Sequence, residues 1–586
     1  MVAAQLVFRG WALFPSWFYL DDYRLLYDAR SRGLSWSYLT APFDSQFMPV
    51  GRFLAWLVAS GGALDWTLAV SLTLVLQAVA SLACLAMLCS LFGARPAVLL
   101  LLATYLTTAM TLPATMWWAA SLNQLPLQAV LFGAVTLGVR YLRTVRLRWA
   151  LATAAVLVIG LLCYVKTLLV VPLLVFVALA YFASGSPLRR VRHIAATYWP
   201  GAAVVVALGG AFTWFYLATV PSLFQAAHHP VAGVLARTMI GRSLISAAWG
   251  GPWRWSTENP PVGYADPPLA AVLVAWLLLV VLVGVSTVAR RRARRAWVLL
   301  ALYVVALYLL VLATRAPVTG EVVGRELRYL TDGAAALVLC AGLAFLPLRG
   351  AVESSEPRAS SLGAALVARA GLVPALVLAV LVSASGLVSS AAYAHVWHTD
   401  NPGDDFMHRA QADLLRAAPV DLSDEVVPDD VVISFLYPYN TTRRLTSLMG
   451  ARVRFPRVTS RLAVLAPDGS AHPALIHAFA SSGPGPVPGC GWKVQDRPVA
   501  VPLTAPADGF HPWVRVGYLA SGYSPVRLRL GSTTVRTEVR RGLNQIFVRT
   551  SQVFDRVRLD GLSPGTTVCV DDVAVGDPTP AEAGLS

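Results

Sequence analysis

Eleven apolar runs alternate with polar links over residues 1–393, and this pattern predicts a polytopic α-helical membrane protein. Several runs are shorter than the about 20 residues that a spanning helix needs, so we expect boundaries to shift by a few residues. The runs lie near 2–20, 66–92, 97–113, 123–142, 149–164, 167–184, 197–220, 268–289, 297–314, 333–348 and 371–393.

Composition and charge support a membrane assignment. Hydrophobic residues make up 56% of the chain and charged residues only 13%, while the formal net charge is +16. The arginines cluster in alternate links between the apolar runs, as the positive-inside rule expects of cytoplasmic links. The links predicted to be cytoplasmic contain Arg95, Arg140, Arg143, Arg146, Arg148, Arg189, Arg190, Arg192, Arg290, Arg291, Arg292, Arg294, Arg295, Arg349, Arg358 and Arg369.

An odd number of spans that starts inside puts the C-terminus outside the cell membrane. The first run fits this topology least well, because Arg9 lies within it and no basic residue precedes it. A missing upstream segment would explain both facts.

After residue 394 the sequence pattern changes to short β-prone runs separated by turn residues. We predict an extracytoplasmic mixed segment over 394–490, followed by a β-sandwich of jelly-roll type over 491–586. The membrane domain then covers 1–393. The β-prone runs lie at 431–436, 513–520, 526–530, 533–539 and 545–550.

Six cysteines are present, and four of them fall inside apolar runs, where a thiol is usually a small hydrophobe. Cys490 and Cys569 lie in the predicted exported domain, where a disulfide is stable. The sequence leaves open whether they are close enough to pair.

Two adjacent carboxylates, Asp21 and Asp22, follow the first apolar run on the predicted outer face. One of them can accept a proton from an acceptor hydroxyl while the other orients it or binds a cation. Neighbouring like charge also raises a carboxyl pKa toward a useful range. The alternative is an ordinary polar helix end.

Cations on the same face suit a lipid-linked phosphate leaving group. Lys166 lies in a short outer link, and Arg325 and Arg328 lie three residues apart before the tenth run. Arg315 marks the opposite end of that loop. The alternative for each of these residues is an interfacial cation that extends toward water.

Four motifs resemble GT-C glycosyltransferases of actinobacterial type. They are the DDY at 21–23, FDSQFMPVGRFLAWL at 43–57, WWAASLNQLPLQ at 117–128 and RELRYLTD at 325–332. The resemblance covers about 390 residues and extends to an exported C-terminal domain that looks like a carbohydrate-binding module. It implies a membrane enzyme that transfers a sugar from a polyprenyl-phosphate carrier to an acceptor outside the cell membrane.

Carried over to this chain, the resemblance makes Asp21 or Asp22 the general base, without choosing between them. Lys166, Arg325 and Arg328 would bind the donor phosphate. Relatives often have an asparagine or histidine before the Met-Pro pair, whereas this chain has Asp44, Ser45 and Gln46, which leaves a divalent cation open. The candidate acceptor or substrate contacts are Asp44, Gln46, Trp117, Trp118 and Asn123.

Several of these candidates also suit a purely structural role. Asp44 also suits the cap of a turn, and Trp117 and Trp118 also suit an interfacial aromatic belt. His228 and His229 are weaker candidates for acceptor binding. No Walker loop, dinucleotide fingerprint, HExxH motif or nucleophile elbow is present in the sequence.

The hydropathy pattern and the resemblance together imply a multi-pass glycosyltransferase of the cell membrane, with a polyprenyl-phosphate sugar donor, a cell-envelope glycan, lipid or protein acceptor, and no nucleic-acid partner. One rival is a transporter or flippase of a lipid-linked glycan, whose ionisable groups belong at the membrane midplane. Another is a non-catalytic anchor that displays a glycan-binding domain.

Overall fold

The computed structural model describes residues 1–221, 232–358, 372–417, 419–509, 511–582 and 584–585. The chain divides into two compact units, Met1–Asn401 and Pro402–Ser586. His228, His229 and Arg369 lie outside the described residues.

Apolar helices dominate the first unit. Within the described ranges, six helices are long and apolar enough to cross a membrane, and a bent pair at 44° makes a possible seventh. The six are Trp66–Phe92, Trp118–Thr144, Pro187–Thr219, Leu269–Ala289, Ala293–Thr314 and Val373–Thr399. The bent pair is Pro96–Thr107 with Ala109–Met116, and the shorter apolar helices are Val2–Leu13, Leu147–Leu161, Val165–Tyr181 and Thr331–Phe345.

Each predicted apolar run thus corresponds to one helix or to the bent pair. The predicted fold class, a polytopic helical region followed by a β-rich domain, is confirmed. How many of the eleven segments cross the membrane stays a prediction.

The first run ends earlier than expected, at Leu13, because Pro15 has no backbone N–H to continue the hydrogen bonds of the helix. The chain then reverses through Leu20, which has a φ of 44°, and a second helix begins at Asp21. Two further helices follow in the link between the first two apolar runs, Trp36–Thr40 and Pro49–Gly61. Asp21 and Asp22 therefore begin a helix rather than end one.

Short elements occupy two of the other links that are predicted to be outer. Ala232–Thr238, Met239–Leu244 and Ile245–Ala248 form consecutive helical segments, and Trp255–Asn259 pairs with Val262–Ala265 in an antiparallel hairpin. The loop before Thr331–Phe345 consists of short helical segments, which are Ala316–Thr319, Gly320–Arg325 and Leu327–Tyr329.

The second unit is a β-sandwich with one continuous apolar core between two sheets. One sheet has seven strands, and the other has four. The seven-stranded sheet contains Val458–Thr459, Ala463–Leu465, Ala471–Ser481, Trp492–Val494, Trp513–Ala520, Gly542–Arg549 and Val568–Pro580. The four-stranded sheet, called the arginine sheet below, contains Val499–Ala507, Ser524–Leu530, Thr533–Val539 and Phe554–Asp560.

The β-prone runs from 513 onward all form strands, as predicted, because their apolar side chains alternate into this core. The run at 431–436 does not form a strand. It contains a single helical turn, Ser434–Leu436, since Pro428 and Pro438 bound it and Asp429 Oδ1 accepts the Ser434 N–H at 3.0 Å. The predicted boundary at 490 stays a prediction.

Cys490 and Cys569 form a disulfide, with their Cα atoms 4.7 Å apart. The bond joins the turn before Trp492–Val494 to the strand with which Trp492–Val494 pairs.

Candidate active site

A half-open cavity of about 650 Å³, counting the space open to solvent, lies in the first unit among the links that are predicted to be outer. Its walls come from segments distant in sequence, which only the packing of the helices brings together. The lining residues are Asp21, Phe43, Asp44, Gln46, Met48, Trp117, Ala119, Ala120, Asn123, Gln124, Tyr164, Arg315, Arg328 and Tyr329.

The two adjacent aspartates have different surroundings. Asp21 lines the cavity and is half-buried. Asp22 is fully buried, and its two carboxylate oxygens accept the backbone N–H groups of Tyr19 at 2.8 Å and Ala119 at 2.7 Å. Asp22 therefore joins the start of its own helix to the start of Trp118–Thr144 and has no free oxygen directed at a substrate.

The Asp21 carboxylate has no hydrogen bond or ion pair with another described residue. Burial raises its pKa, and the neighbouring charge of Asp44 raises it further, while Arg328, Arg24 and Arg315 oppose the rise. A carboxylate whose pKa is raised and whose lone pairs are unoccupied is suited to accept a proton.

Asp44 occupies a tight turn closed by reciprocal backbone hydrogen bonds between Phe43 and Gln46. Its φ of 51° lies in the left-handed region, which aspartate tolerates better than most residues. Its Oδ1 lies 2.6 Å from the Nη1 of Arg24. The side chain therefore faces the cavity while its charge is balanced by Arg24.

Two arginines line the cavity with Asp21. The Arg328 guanidinium lies 3.9 Å from the ring centroid of Trp117 and pairs with Glu326. Arg315 follows the last residue of Ala293–Thr314, and its guanidinium forms no ion pair with any residue that the structure describes. The cavity thus combines a carboxylate with positive charge that is only partly balanced.

Buried amide side chains form another wall. Asn123 donates to the Gln46 Oε1 at 2.7 Å, and Gln124 donates to the Arg328 carbonyl at 3.1 Å. The Asn123 Oδ1, the Gln124 Oε1 and the Trp117 Nε1 have no hydrogen-bond partner among the described residues. Two unoccupied acceptors and one unoccupied indole donor suit the hydroxyl groups of a sugar, which both donate and accept hydrogen bonds.

Besides Asp22, three predicted site residues do not line the cavity. Lys166 is buried, and its Nζ lies 2.9 Å from the Asp332 Oδ1 and donates to the Tyr329 carbonyl at 3.2 Å. Arg325 pairs with Glu258 of the hairpin at 3.0 Å. Trp118 is buried with its ring edge-on to Phe18. Their surroundings are those of residues that position the loops around the cavity.

Sequence reasoning left several lining residues out of the predicted site. Tyr164 lies near the predicted residue Lys166, and Gln124 and Tyr329 lie within two of the four sequence motifs. The motifs therefore indicated the right segments but not these side chains. Arg315 drew attention only as the end of the loop that contains Arg328. Sequence spacing does not show that the end of one helix faces the start of another.

No group of three or more histidine, cysteine, aspartate or glutamate side chains is placed to hold a metal ion within the described part of the chain.

Comparisons with known proteins give distant structural similarity. No protein-family model matches the chain, and no curated protein matches it. Among solved structures, ArnT from Cupriavidus metallidurans bound to undecaprenyl phosphate is 14% identical, with a TM-score of 0.40, over 76% of this chain and 86% of that one. The mycobacterial arabinofuranosyltransferase AftD is 12% identical, with a TM-score of 0.32, over 100% of this chain and 60% of that one.

Both are GT-C glycosyltransferases, the class that the four sequence motifs resemble. TM-scores this low do not indicate what reaction this chain catalyses. The chemistry is therefore inferred from the residues of the cavity.

Proposed function

We propose that this chain is a membrane glycosyltransferase that transfers a sugar from a polyprenyl-phosphate donor to a hydroxyl group of an extracytoplasmic cell-envelope acceptor. The observation that carries the proposal is the presence of Asp21, Arg315 and Arg328 in the wall of one cavity. Sugar transfer from a lipid phosphate needs this combination, because a proton has to be removed and a phosphate has to be stabilised as it leaves.

In the proposed reaction, Asp21 accepts the proton of the acceptor hydroxyl as its oxygen attacks the anomeric carbon. The bond between that carbon and the phosphate oxygen breaks, and the polyprenyl phosphate leaves with the electron pair. A single displacement inverts the anomeric configuration. Asp22 serves this step indirectly, because its two backbone hydrogen bonds hold Asp21 at the cavity wall.

The leaving phosphate would be bound by Arg315 and Arg328. Arg315 is the stronger candidate, since no described carboxylate pairs with its guanidinium, whereas Glu326 already pairs with Arg328. The Lys166–Asp332 pair and the Arg325–Glu258 pair would hold the loops that present these arginines.

An apolar groove near the cavity suits the isoprenoid tail of the donor. It runs between Val165–Tyr181 and Pro187–Thr219, and both helices reach the site. Tyr164 lines the cavity immediately before the first helix, and the Tyr216 hydroxyl of the second donates to the Ser45 carbonyl in the Asp44 turn. Gly209 widens the groove, because nothing lies within 4 Å of the position of its absent Cβ.

To test the proposal, labelled polyprenyl-phosphate sugars of several kinds are added to membranes that contain the full chain, and product formation is measured. We expect Asp21→Asn to lower the transfer rate about 10²–10⁴-fold, the usual contribution of a general base. Asp65→Asn is the matched control, because Asp65 is a half-buried helix cap outside the cavity and asparagine caps equally well.

Wild-type transfer rates in the Asp21→Asn variant would refute the proposed base. Wild-type protein that moves the labelled lipid across the bilayer without forming product would instead favour a flippase.

A further inference from the structure

The outer face of the arginine sheet is strongly basic. Its strands alternate, so that one set of side chains enters the core and the other faces outward. Five outward positions on three adjacent strands are arginines, and all five are exposed. They are Arg527, Arg529, Arg536, Arg556 and Arg558.

The register places these arginines beside one another. Arg527 is directly opposite Arg536 on one neighbouring strand, and Arg529 is directly opposite Arg558 on the other. Directly opposite side chains have Cβ atoms about 4.5–5.5 Å apart, and like charges in that position destabilise a sheet. Stability alone does not account for two such pairs on one face.

Nearby carboxylates balance only part of this charge. Asp560 is shared by Arg527 and Arg529, at 2.6 Å and 3.4 Å, and Asp555 pairs with Arg556. Arg536 and Arg558 form no ion pair with any residue in the described ranges. The face therefore keeps unbalanced positive charge over three strands.

We propose that the arginine sheet binds an anionic polysaccharide. Guanidinium groups form paired hydrogen bonds to carboxylates and phosphates, so rows of arginine match a polymer with repeated anionic groups. Sandwich domains of this kind also occur as lectins. The inference stands independently of the proposed transferase activity, because it uses only residues of the second unit.

The composition of the face favours a polysaccharide over a membrane or a nucleic acid. Membrane-binding surfaces combine basic groups with apolar side chains that enter the lipid, whereas the exposed aromatic residue at the edge of this face, Tyr523, is hydrogen-bonded to Glu538. Proteins that bind single-stranded nucleic acid usually stack bases on aromatic rings. The positions directly opposite these arginines carry Ala500, Pro502, Thr534 and Asp560, besides the arginines that face one another.

The test uses the full chain in nanodiscs of phosphatidylcholine and measures binding of fluorescent polygalacturonate by anisotropy, with neutral dextran of equal length as the comparison. We expect polygalacturonate to bind, and to bind more weakly as salt rises. The double variant Arg536→Gln with Arg558→Gln should bind about tenfold more weakly, because each loses a charge-assisted contact.

The matched control is Arg452→Gln with Arg461→Gln, which removes the same charge from exposed positions of the same unit outside the arginine sheet. It should bind within about twofold of wild type, since neither arginine lies on a strand of the arginine sheet. Glu538→Gln removes a negative charge that repels the carboxylates of the polymer, so this variant should bind about twofold more tightly. It keeps the test informative if the arginine variant is unstable.

Equal loss of binding in both double variants would show a general charge effect and overturn the proposal. Equal binding of dextran would overturn it as well. So would tighter binding of duplex DNA, or of phosphatidylglycerol vesicles, than of polygalacturonate.

Discussion

Replacing Asp22 with alanine should destabilise the first unit, whereas replacing Asp21 with asparagine should not. The two residues are neighbours in sequence, but only Asp22 accepts backbone hydrogen bonds, from Tyr19 and Ala119. Asp21 has no such partner among the described residues. The pair therefore separates a positioning role from a chemical one.

The expected loss follows from the two donors. Each buried N–H group left without an acceptor costs about 1–3 kcal/mol. Removal of a buried carboxylate offsets part of that loss, because burial raises the pKa of Asp22 and so opposes its ionised form. We expect a net destabilisation of about 2–4 kcal/mol for Asp22→Ala.

Asp21→Asn should leave stability unchanged or raise it, and the sign depends on pH. Since the pKa of Asp21 is raised in the folded chain, the folded state binds the proton more tightly, and wild-type stability falls as pH rises above the unfolded-state pKa. The variant lacks this loss. Its advantage should be absent at low pH and complete above the folded-state pKa.

A thiol-reactive dye provides the assay in detergent solution, because Cys84, Cys163 and Cys340 are buried and become reactive when the first unit unfolds. Melting curves of wild type, Asp22→Ala, Asp21→Asn and the control Asp65→Asn are compared at several pH values. A melting point for Asp22→Ala equal to that of wild type would refute the reasoning. A large loss in Asp21→Asn at neutral pH would refute it equally.

Other contacts give further expectations. Asp332→Asn leaves the buried Lys166 ammonium without its carboxylate and should lower the free energy of unfolding by about 3–5 kcal/mol in the same melting assay. Adding Lys166→Met should restore most of that loss, and a double variant as unstable as Asp332→Asn would contradict the pairing. Gly209→Leu fills the apolar groove and should raise the KM for long polyprenyl donors more than for short ones, whereas Gly284→Leu, equally open on another helix, should change neither. Cys490→Ser with Cys569→Ser should lower the stability of the second unit by about 4 kcal/mol, because the disulfide closes 79 residues of chain, and reductant should then have no further effect.

The fold was predictable from the sequence because its main signals are local. Apolar runs must become helices in lipid, where the backbone has to satisfy its own hydrogen bonds, and each run from 2–20 to 371–393 corresponds to a helix or bent pair. The strands from 513 onward show period-two alternation, which is equally local. The prediction of a strand at 431–436 was wrong, because its composition suits a strand but the flanking prolines and the capping Asp429 favour a helical turn.

The candidate site was predictable only in part, because side-chain direction is not local. Adjacent positions at the start of a helix point in different directions, so one aspartate reaches the cavity and the other caps Trp118–Thr144. Lys166 and Arg325 are basic and near the outer face, yet both pair with carboxylates distant in sequence. Arg315 lines the cavity because of how its helix packs, and its position in the sequence does not show this.

Hydropathy and residue spacing act over a few residues at a time, so the sequence was sufficient to place the helices and most of the strands and to locate acidic and basic groups in the links between apolar runs. Tertiary structure alone decided which of those groups share a cavity and which neutralise one another. Distances between side chains depend on helix ends and loop reversals, such as the one at Leu20, that bring together residues more than a hundred positions apart.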